Sequence, residues 1–274
     1  MKIDREIITS RRNRDVVEAS GLLEKKHRME TGLFRFDGVK LARGAALCKI
    51  SVERVFLRES SQKKVMEMLG DADFDCRATV VSDDVFDKLS DEKSPEGIIC
   101  IAKHLDNIGK IVKIDSGDHR FSDGKRLFFA ESVRDPGNLG TLVRSANALG
   151  RERMIISSDC ADLYNPKTLR ASMGAIFRME IAIVDSVADA VTAVRANERR
   201  VFAAALDESA QKLGSFSLLS GDSFVVGNEG HGLSEKTVSA CTSSVYIPMK
   251  VGAESLNAAA AAAVILWEQA RGSF

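Results

Sequence analysis

The stretch Leu127-Phe-Phe-Ala-Glu-Ser-Val-Arg-Asp-Pro-Gly-Asn-Leu-Gly-Thr-Leu-Val-Arg144 passes from an apolar run through a Pro-Gly turn into a segment with helical spacing. Apolar runs without alternation are what strands become when helices cover both faces of a parallel sheet. The pattern continues outward from this point. It predicts strands at 127–133, 154–157, 179–184, 201–206, 224–227 and 245–247, with helices at 139–149, 166–173, 187–197, 234–240 and 255–270. Such alternation specifies an α/β fold built on a parallel sheet. Upstream, shorter alternating runs over residues 33–103 predict a smaller α/β layer structure. One amphipathic helix is expected before it, from Arg11 to Glu30, with a narrow apolar stripe of Val16, Ala19 and Leu23. The polar, glycine-containing segment Asp115 to Lys125 is the best linker, so the domains are placed at 1–115 and 126–274, joined by 116–125.

A chain of 274 residues is long enough for two domains, and 45% hydrophobic against 28% charged residues is ordinary for a folded protein. The net charge of zero hides a gradient: residues 1–70 hold sixteen Lys or Arg against ten Asp or Glu. A basic amino-terminal region can meet phosphates through attraction and counterion release, although a solvated helix face carries the same charges. Five widely spaced cysteines, Cys48, Cys76, Cys100, Cys160 and Cys241, suggest neither a disulfide framework nor a metal pair, and read as buried thiols of a reducing cytoplasm. Met1-Lys-Ile-Asp-Arg-Glu has no signal-like apolar run. The longest apolar stretch, Ala258 to Trp267, is ten residues against the roughly 20 needed to span a bilayer, and reads as a buried helix.

Three segments place small or polar residues where strands end or helices begin, which is where open α/β sheets gather ligands. In the first, Asn138 is well typed to cap the helix that follows, and Gly137 and Gly140 allow close approach. Taken alone, that is an ordinary capped turn. Arg144, among Leu142, Val143 and Ala146, needs a partner. In the second, Gly227-Asn-Glu-Gly-His-Gly232 follows an apolar strand and sets Glu229 among glycines. Its spacing is not the dinucleotide fingerprint, and His231 reads as a loop residue before a metal ligand. In the third, Ile247-Pro-Met249 ends a strand, and Ser255-Leu-Asn257 opens the last helix with Ser255 as its cap. No nucleophile elbow, Walker loop or zinc spacing occurs, so no metal is indicated.

In series, Asn138-x-Gly-x-x-x-Arg144, Gly227-Asn-Glu-Gly230, and Ile247-Pro-Met249 with Ser255-Leu-Asn257 resemble the three motifs of the SpoU branch of the SPOUT RNA methyltransferases, over roughly Leu127 to Gly272. Ser10-Arg-Arg-Asn13, Lys25-Lys-His-Arg28 and Phe34-Arg-Phe-Asp-Gly-Val-Lys40 resemble the amino-terminal substrate-binding domain of the ribosomal-RNA members, with Asp37 where the family usually has glutamate. The resemblance implies a carboxyl-terminal SPOUT domain whose chain threads a trefoil knot, a smaller ribosomal-protein-like α/β domain, and a homodimer without membrane attachment. It implies transfer of a methyl group from S-adenosylmethionine to a ribose 2′-hydroxyl of structured RNA, ribosomal RNA before transfer RNA. Carried over residue by residue, Leu206, Gly227, Ile247, Met249 and Leu256 line the methyl-donor pocket, largely through backbone groups. Asn138, Arg144, Glu229, Ser255 and Asn257 form the reactive set, and Arg11, Arg12, Asn13, Lys25, Lys26 and Arg28 meet RNA. A guanidinium is a poor base near neutral pH, so Arg144 is assigned positioning and stabilisation of the developing alkoxide, oriented by Asn138 and Glu229. Two other classes stay open: a non-catalytic RNA-binding protein on the same fold, and a small-molecule enzyme, which leaves the basic helix unexplained.

Overall fold

A computed structural model describes residues 1–115, 117–207, 210–250 and 255–271 of the chain. The chain divides into two units, Met1–Ile108 with Asp162–Phe177, and Gly109–Ala161 with Arg178–Phe274.

The first unit runs β1 (Lys2–Ile8), α1 (Arg14–Gly21), α2 (Lys25–Thr31), β2 (Leu33–Asp37), α3 (Val39–Leu47), β3 (Val52–Arg58), α4 (Gln62–Leu69), β4 (Arg77–Val81), α5 (Asp83–Leu89) and β5 (Ile98–Lys103). Its sheet has the order β1-β4-β3-β5-β2, with β1, β4 and β3 parallel and β5 antiparallel to both its neighbours. The sequence pattern did not suggest β1, because its charged residues obscure alternation; an edge strand with one partner tolerates such charges.

The single helix expected from Arg11 to Glu30 is two helices. The Asn13 side chain accepts Asp15 N–H at 2.9 Å and starts α1 there. The chain then turns at Leu22 to Glu24, where the Arg28 guanidinium donates to the carbonyls of Leu22 and Leu23, both at 2.7 Å. Its second terminal nitrogen, Nη2, pairs with Asp162. Val16 and Ala19 are buried as their spacing predicts, and Leu22 completes the stripe in place of Leu23. Arg28 is only 3% exposed, so its charge is fixed by structure. Arg28→Met should destabilise the protein by about 3–5 kcal/mol, because it strands a carboxylate and two carbonyls, whereas a surface arginine would change stability by a few tenths. Urea denaturation of the full chain measures the difference.

The second unit runs β6 (Ile111–Lys113), β7 (Leu127–Ala130), α6 (Pro136–Ala148), β8 (Arg153–Ser157), then past α7 (Pro166–Ser172), which belongs to the first unit, to β9 (Glu180–Val184). It continues with α8 (Val187–Arg195), β10 (Val201–Ala204), β11 (Gln211–Lys212), β12 (Ser223–Val226), α9 (Glu235–Ala240), β13 (Ser243–Tyr246) and α10 (Ala258–Ala270). Eight parallel strands lie in the order β11-β13-β10-β12-β7-β8-β9-β6. Phe121, from the stretch read as a linker, is buried with Ile114, Leu127, Phe129 and Val191 in the core of this unit. From β7 the chain steps through β8 and β9 on one side, whereas β12, β10 and β13 lie on the other. Neighbouring loops at such a switch point leave a crevice at the carboxyl edge of the sheet. Among the described residues, no helix is long and apolar enough to cross a membrane. All five cysteines are free; Cys100 and Cys241 are buried, and Cys48, Cys76 and Cys160 are partly exposed.

Candidate active site

The two strands that flank the switch, β7 and β12, deliver the polar groups. Helix α6 starts with Pro136 in its first turn, where a missing N–H costs nothing, and Asp135 is the cap, its carboxylate accepting Asn138 N–H at 2.8 Å. The expectation that Asn138 caps the helix is therefore corrected, with a chemical consequence. Relieved of capping, the Asn138 carboxamide reaches outward, donating from Nδ2 to Glu229 Oε1 at 2.7 Å and accepting on Oδ1 from Asn257 Nδ2 at 2.9 Å.

Asn257, not Ser255, caps α10: its Oδ1 accepts Ala259 N–H at 2.9 Å and Ala260 N–H at 3.3 Å. That fixes every amide orientation in the chain. With the Asn257 oxygen committed to backbone donors, its Nδ2 must donate, so Asn138 must offer its oxygen there and its nitrogen to Glu229. Groups 91 and 119 positions from Asn138 thus meet on one carboxamide. Packing of α10 on α6 and β12 brings the last helix to this edge.

The glycine loop after β12 folds back on itself. Asn228 and Gly232 exchange both backbone hydrogen bonds at 3.0 Å, and Asn228 Oδ1 accepts Gly230 N–H at 2.8 Å and His231 N–H at 3.1 Å. The two residues that follow β7 pin the loop. Ser132 carbonyl accepts Asn228 Nδ2 at 2.8 Å, while the Glu131 carboxylate accepts Ser234 N–H at 2.8 Å and Thr237 Oγ1 at 2.6 Å. A Cβ on Gly227 would come 2.4 Å from the Gly232 carbonyl carbon, far inside contact distance. Gly227→Ala should therefore open the loop, lowering any activity that depends on this site by at least about tenfold with a stability loss on the order of 1–3 kcal/mol; paired activity and thermal-melting assays read both. His231 is exposed, in the loop as its neighbours suggest.

Arg144 lies six residues beyond Asn138, about 240° around the helix axis, and is exposed. Among the described residues it makes no hydrogen bond or ion pair, so its expected contact with Asn138 and Glu229 is not formed within this chain. Ser255 is exposed and likewise without a side-chain hydrogen bond among the described residues. Leu206, Gly227, and Ile247 with Met249 follow the adjacent strands β10, β12 and β13, and Leu256 precedes α10. Leu206, Met249 and Leu256 are 81%, 42% and 41% exposed. Large apolar side chains left open at the carboxyl ends of neighbouring strands suit an adenine ring and a thioether chain, so the residues present fit a nucleoside methyl donor. Residues 251–254, between Met249 and Ser255 of the third motif, lie outside the described residues. Among the described residues, no group of three His, Cys, Asp or Glu is placed to hold a metal.

Of the six residues expected to meet RNA, Arg12, Lys25 and Lys26 are exposed, and Lys26 is 3.9 Å from Glu30. Arg11 is also exposed but makes a two-pronged pair with Asp84. Asn13 and Arg28 are spent on the helix cap and the buried pair. The sequence reading missed Glu131, Ser132 and Asn228; the signal was two polar residues directly after the apolar run of β7, facing a loop that has to be tied down.

The family model described as the SpoU rRNA Methylase family matches residues 125–267, and the one described as the MRM3-like substrate binding domain matches residues 13–100. The chain belongs to the SpoU rRNA methylase family. It is 26% identical to the 23S rRNA (guanosine(2553)-2'-O)-methyltransferase RlmP of Bacillus subtilis, over 95% of this chain and 97% of that one. A 23S rRNA (uridine(2479)-2'-O)-methyltransferase of Streptomyces viridochromogenes is 39% identical over 50% of this chain and 49% of its own. Among solved structures, the AdoMet-bound rRNA methyltransferase from Sinorhizobium meliloti superposes with a TM-score of 0.79 at 25% identity, covering 99% of each chain.

Proposed function

We propose that this protein transfers a methyl group from S-adenosylmethionine to a ribose 2′-hydroxyl of 23S ribosomal RNA. The observation that carries the reading is the Glu229–Asn138–Asn257 chain, which unites the three motif segments at the sheet's carboxyl edge. When bound, the donor supplies an electrophilic methyl group on sulfur. The protein's own part is to hold an alcohol in line with that methyl group and to accommodate the charge as its proton leaves. Arg144 is assigned to the alkoxide, and Ser255 closes the pocket beside Asn257. Leu206, Gly227, Ile247, Met249 and Leu256 hold the donor.

The finer architecture belongs to the same reading. The unit Gly109–Ala161 with Arg178–Phe274 carries out catalysis on a SPOUT domain with a carboxyl-terminal trefoil knot, and the unit Met1–Ile108 with Asp162–Phe177 forms a ribosomal-protein-like domain that meets RNA through Arg12, Lys25 and Lys26. The protein works as a homodimer in the cytoplasm, and its free cysteines are in keeping with a reducing compartment. Calorimetry with S-adenosylmethionine, followed by transfer of labelled methyl to total RNA, tests the function. Binding with label in 23S RNA supports it. Binding without transfer would instead favour a non-catalytic RNA-binding protein, and label in transfer RNA alone would move the substrate.

A further inference from the structure

Ser132, two residues past β7, has φ of +54°, a left-handed conformation that serine adopts only when its surroundings impose it. Three bonds hold it. Its N–H donates to Ser157 Oγ at 2.7 Å, its hydroxyl donates to Asp159 Oδ2 at 2.7 Å, and its carbonyl takes Asn228 Nδ2 at 2.8 Å. Ser157 Oγ in turn donates to Asp159 Oδ1 at 2.6 Å. Both oxygens of Asp159 are therefore fixed by serine hydroxyls, which keep this carboxylate ionised by holding its pKa below the usual range even though burial opposes them.

What this anchored carboxylate holds is Arg134, at 3.4 Å. The pair is open to solvent, with side-chain exposures of 71% and 45%, so it contributes little to stability. Arg134 is four residues before Asn138, and among the described residues its only hydrogen bond is the one to Asp159. The remaining N–H donors of the guanidinium are left for another acceptor. A reacting 2′-hydroxyl has a constant companion, the phosphodiester on the neighbouring 3′ oxygen of the same ribose. The Asn138 cluster itself adds only the negative Glu229, which has no cationic partner among the described residues, and Arg144 is already assigned to the developing alkoxide. A phosphate brought to this edge needs a cation there, and the loop that leads into Asn138 carries a pre-oriented one.

We propose that Arg134, oriented by Asp159 and the strained Ser132, grips the backbone phosphate next to the ribose being methylated. The inference rests on the proposed function and adds a substrate-contacting residue outside the three motifs. Asp159 is a positioning residue.

Steady-state methylation of 23S RNA by full-length wild type, Arg134→Gln, Arg134→Lys and Asp159→Asn tests it, alongside calorimetry with S-adenosylmethionine and thermal melting. Loss of one phosphate contact should raise KM for RNA about tenfold in Arg134→Gln and flatten the plot of log KM against log salt by about 0.7–0.9, with kcat within about twofold. Arg134→Lys should recover most of the affinity as a point charge, and Asp159→Asn should fall between the two. An Arg134→Gln enzyme with wild-type KM and salt slope overturns the proposal while leaving the function standing. So does one that loses donor affinity and melting temperature in proportion to KM, since that is a structural role. A wild-type protein that methylates no RNA removes the function and this inference together.

Discussion

Arg144→Ala is expected to lower kcat by a factor of about 10³ or more while leaving the dissociation constant for S-adenosylmethionine unchanged within about twofold, because an electrostatic contribution made only as charge develops appears in turnover alone. The structure makes this an unusually clean test. Arg144 is exposed and holds nothing in place among the described residues, so its removal should change stability by no more than about 0.5 kcal/mol. Any large loss of activity is then chemical in origin. Arg144→Lys should recover little, since an ammonium on a shorter stem does not reproduce the planar fork. Equal losses of donor affinity and turnover would count against the assignment. Stopped-flow single turnover with labelled donor, beside calorimetry, separates the two.

Asn138→Ala should lower kcat about 10²–10³-fold, since it removes two pre-set hydrogen bonds at the point where the motif segments meet. Glu229 loses its donor, and Asn257 keeps its capping bonds to Ala259 and Ala260 but loses its acceptor. Helix α6 should survive, because Asp135 caps it. Asn138→Asp is the sharper variant: it retains shape, sets a second carboxylate beside Glu229, and should be no more active than the alanine variant. Because the three side chains act as one unit, Asn138→Ala combined with Asn257→Ala should cost much less than the sum of the single losses. Strict additivity would mean the bonds are incidental to catalysis.

The parallel sheet and the order of its strands and helices were legible, because uninterrupted apolar runs such as 127–130 and 224–226 leave few other choices. The meeting of Asn138, Glu229 and Asn257 was legible only through resemblance, since no local rule joins positions more than ninety residues apart. Caps were the main local error. Asp135 and Asn138 are both good capping residues, as are Ser255 and Asn257, and proline in the first turn of α6 settles the first choice only once the helix start is known. The basic helix failed for a different reason. Charge count treats Arg28 and Lys25 alike, but tertiary packing buries one and leaves the other in solvent. The strain at Ser132 has no sequence signature, because serine gives no hint of a positive φ.

The chemical position of the transferred group tests the account most directly. RNA methylated by the purified protein with methyl-labelled S-adenosylmethionine is hydrolysed in alkali, which cleaves only where a free 2′-hydroxyl can attack the neighbouring phosphate. The account predicts that the label survives in alkali-resistant dinucleotides, and that Asn138→Ala and Arg144→Ala abolish it. Label recovered in ordinary mononucleotides would place the methyl group on a base and contradict the assignment of this cleft to a ribose hydroxyl.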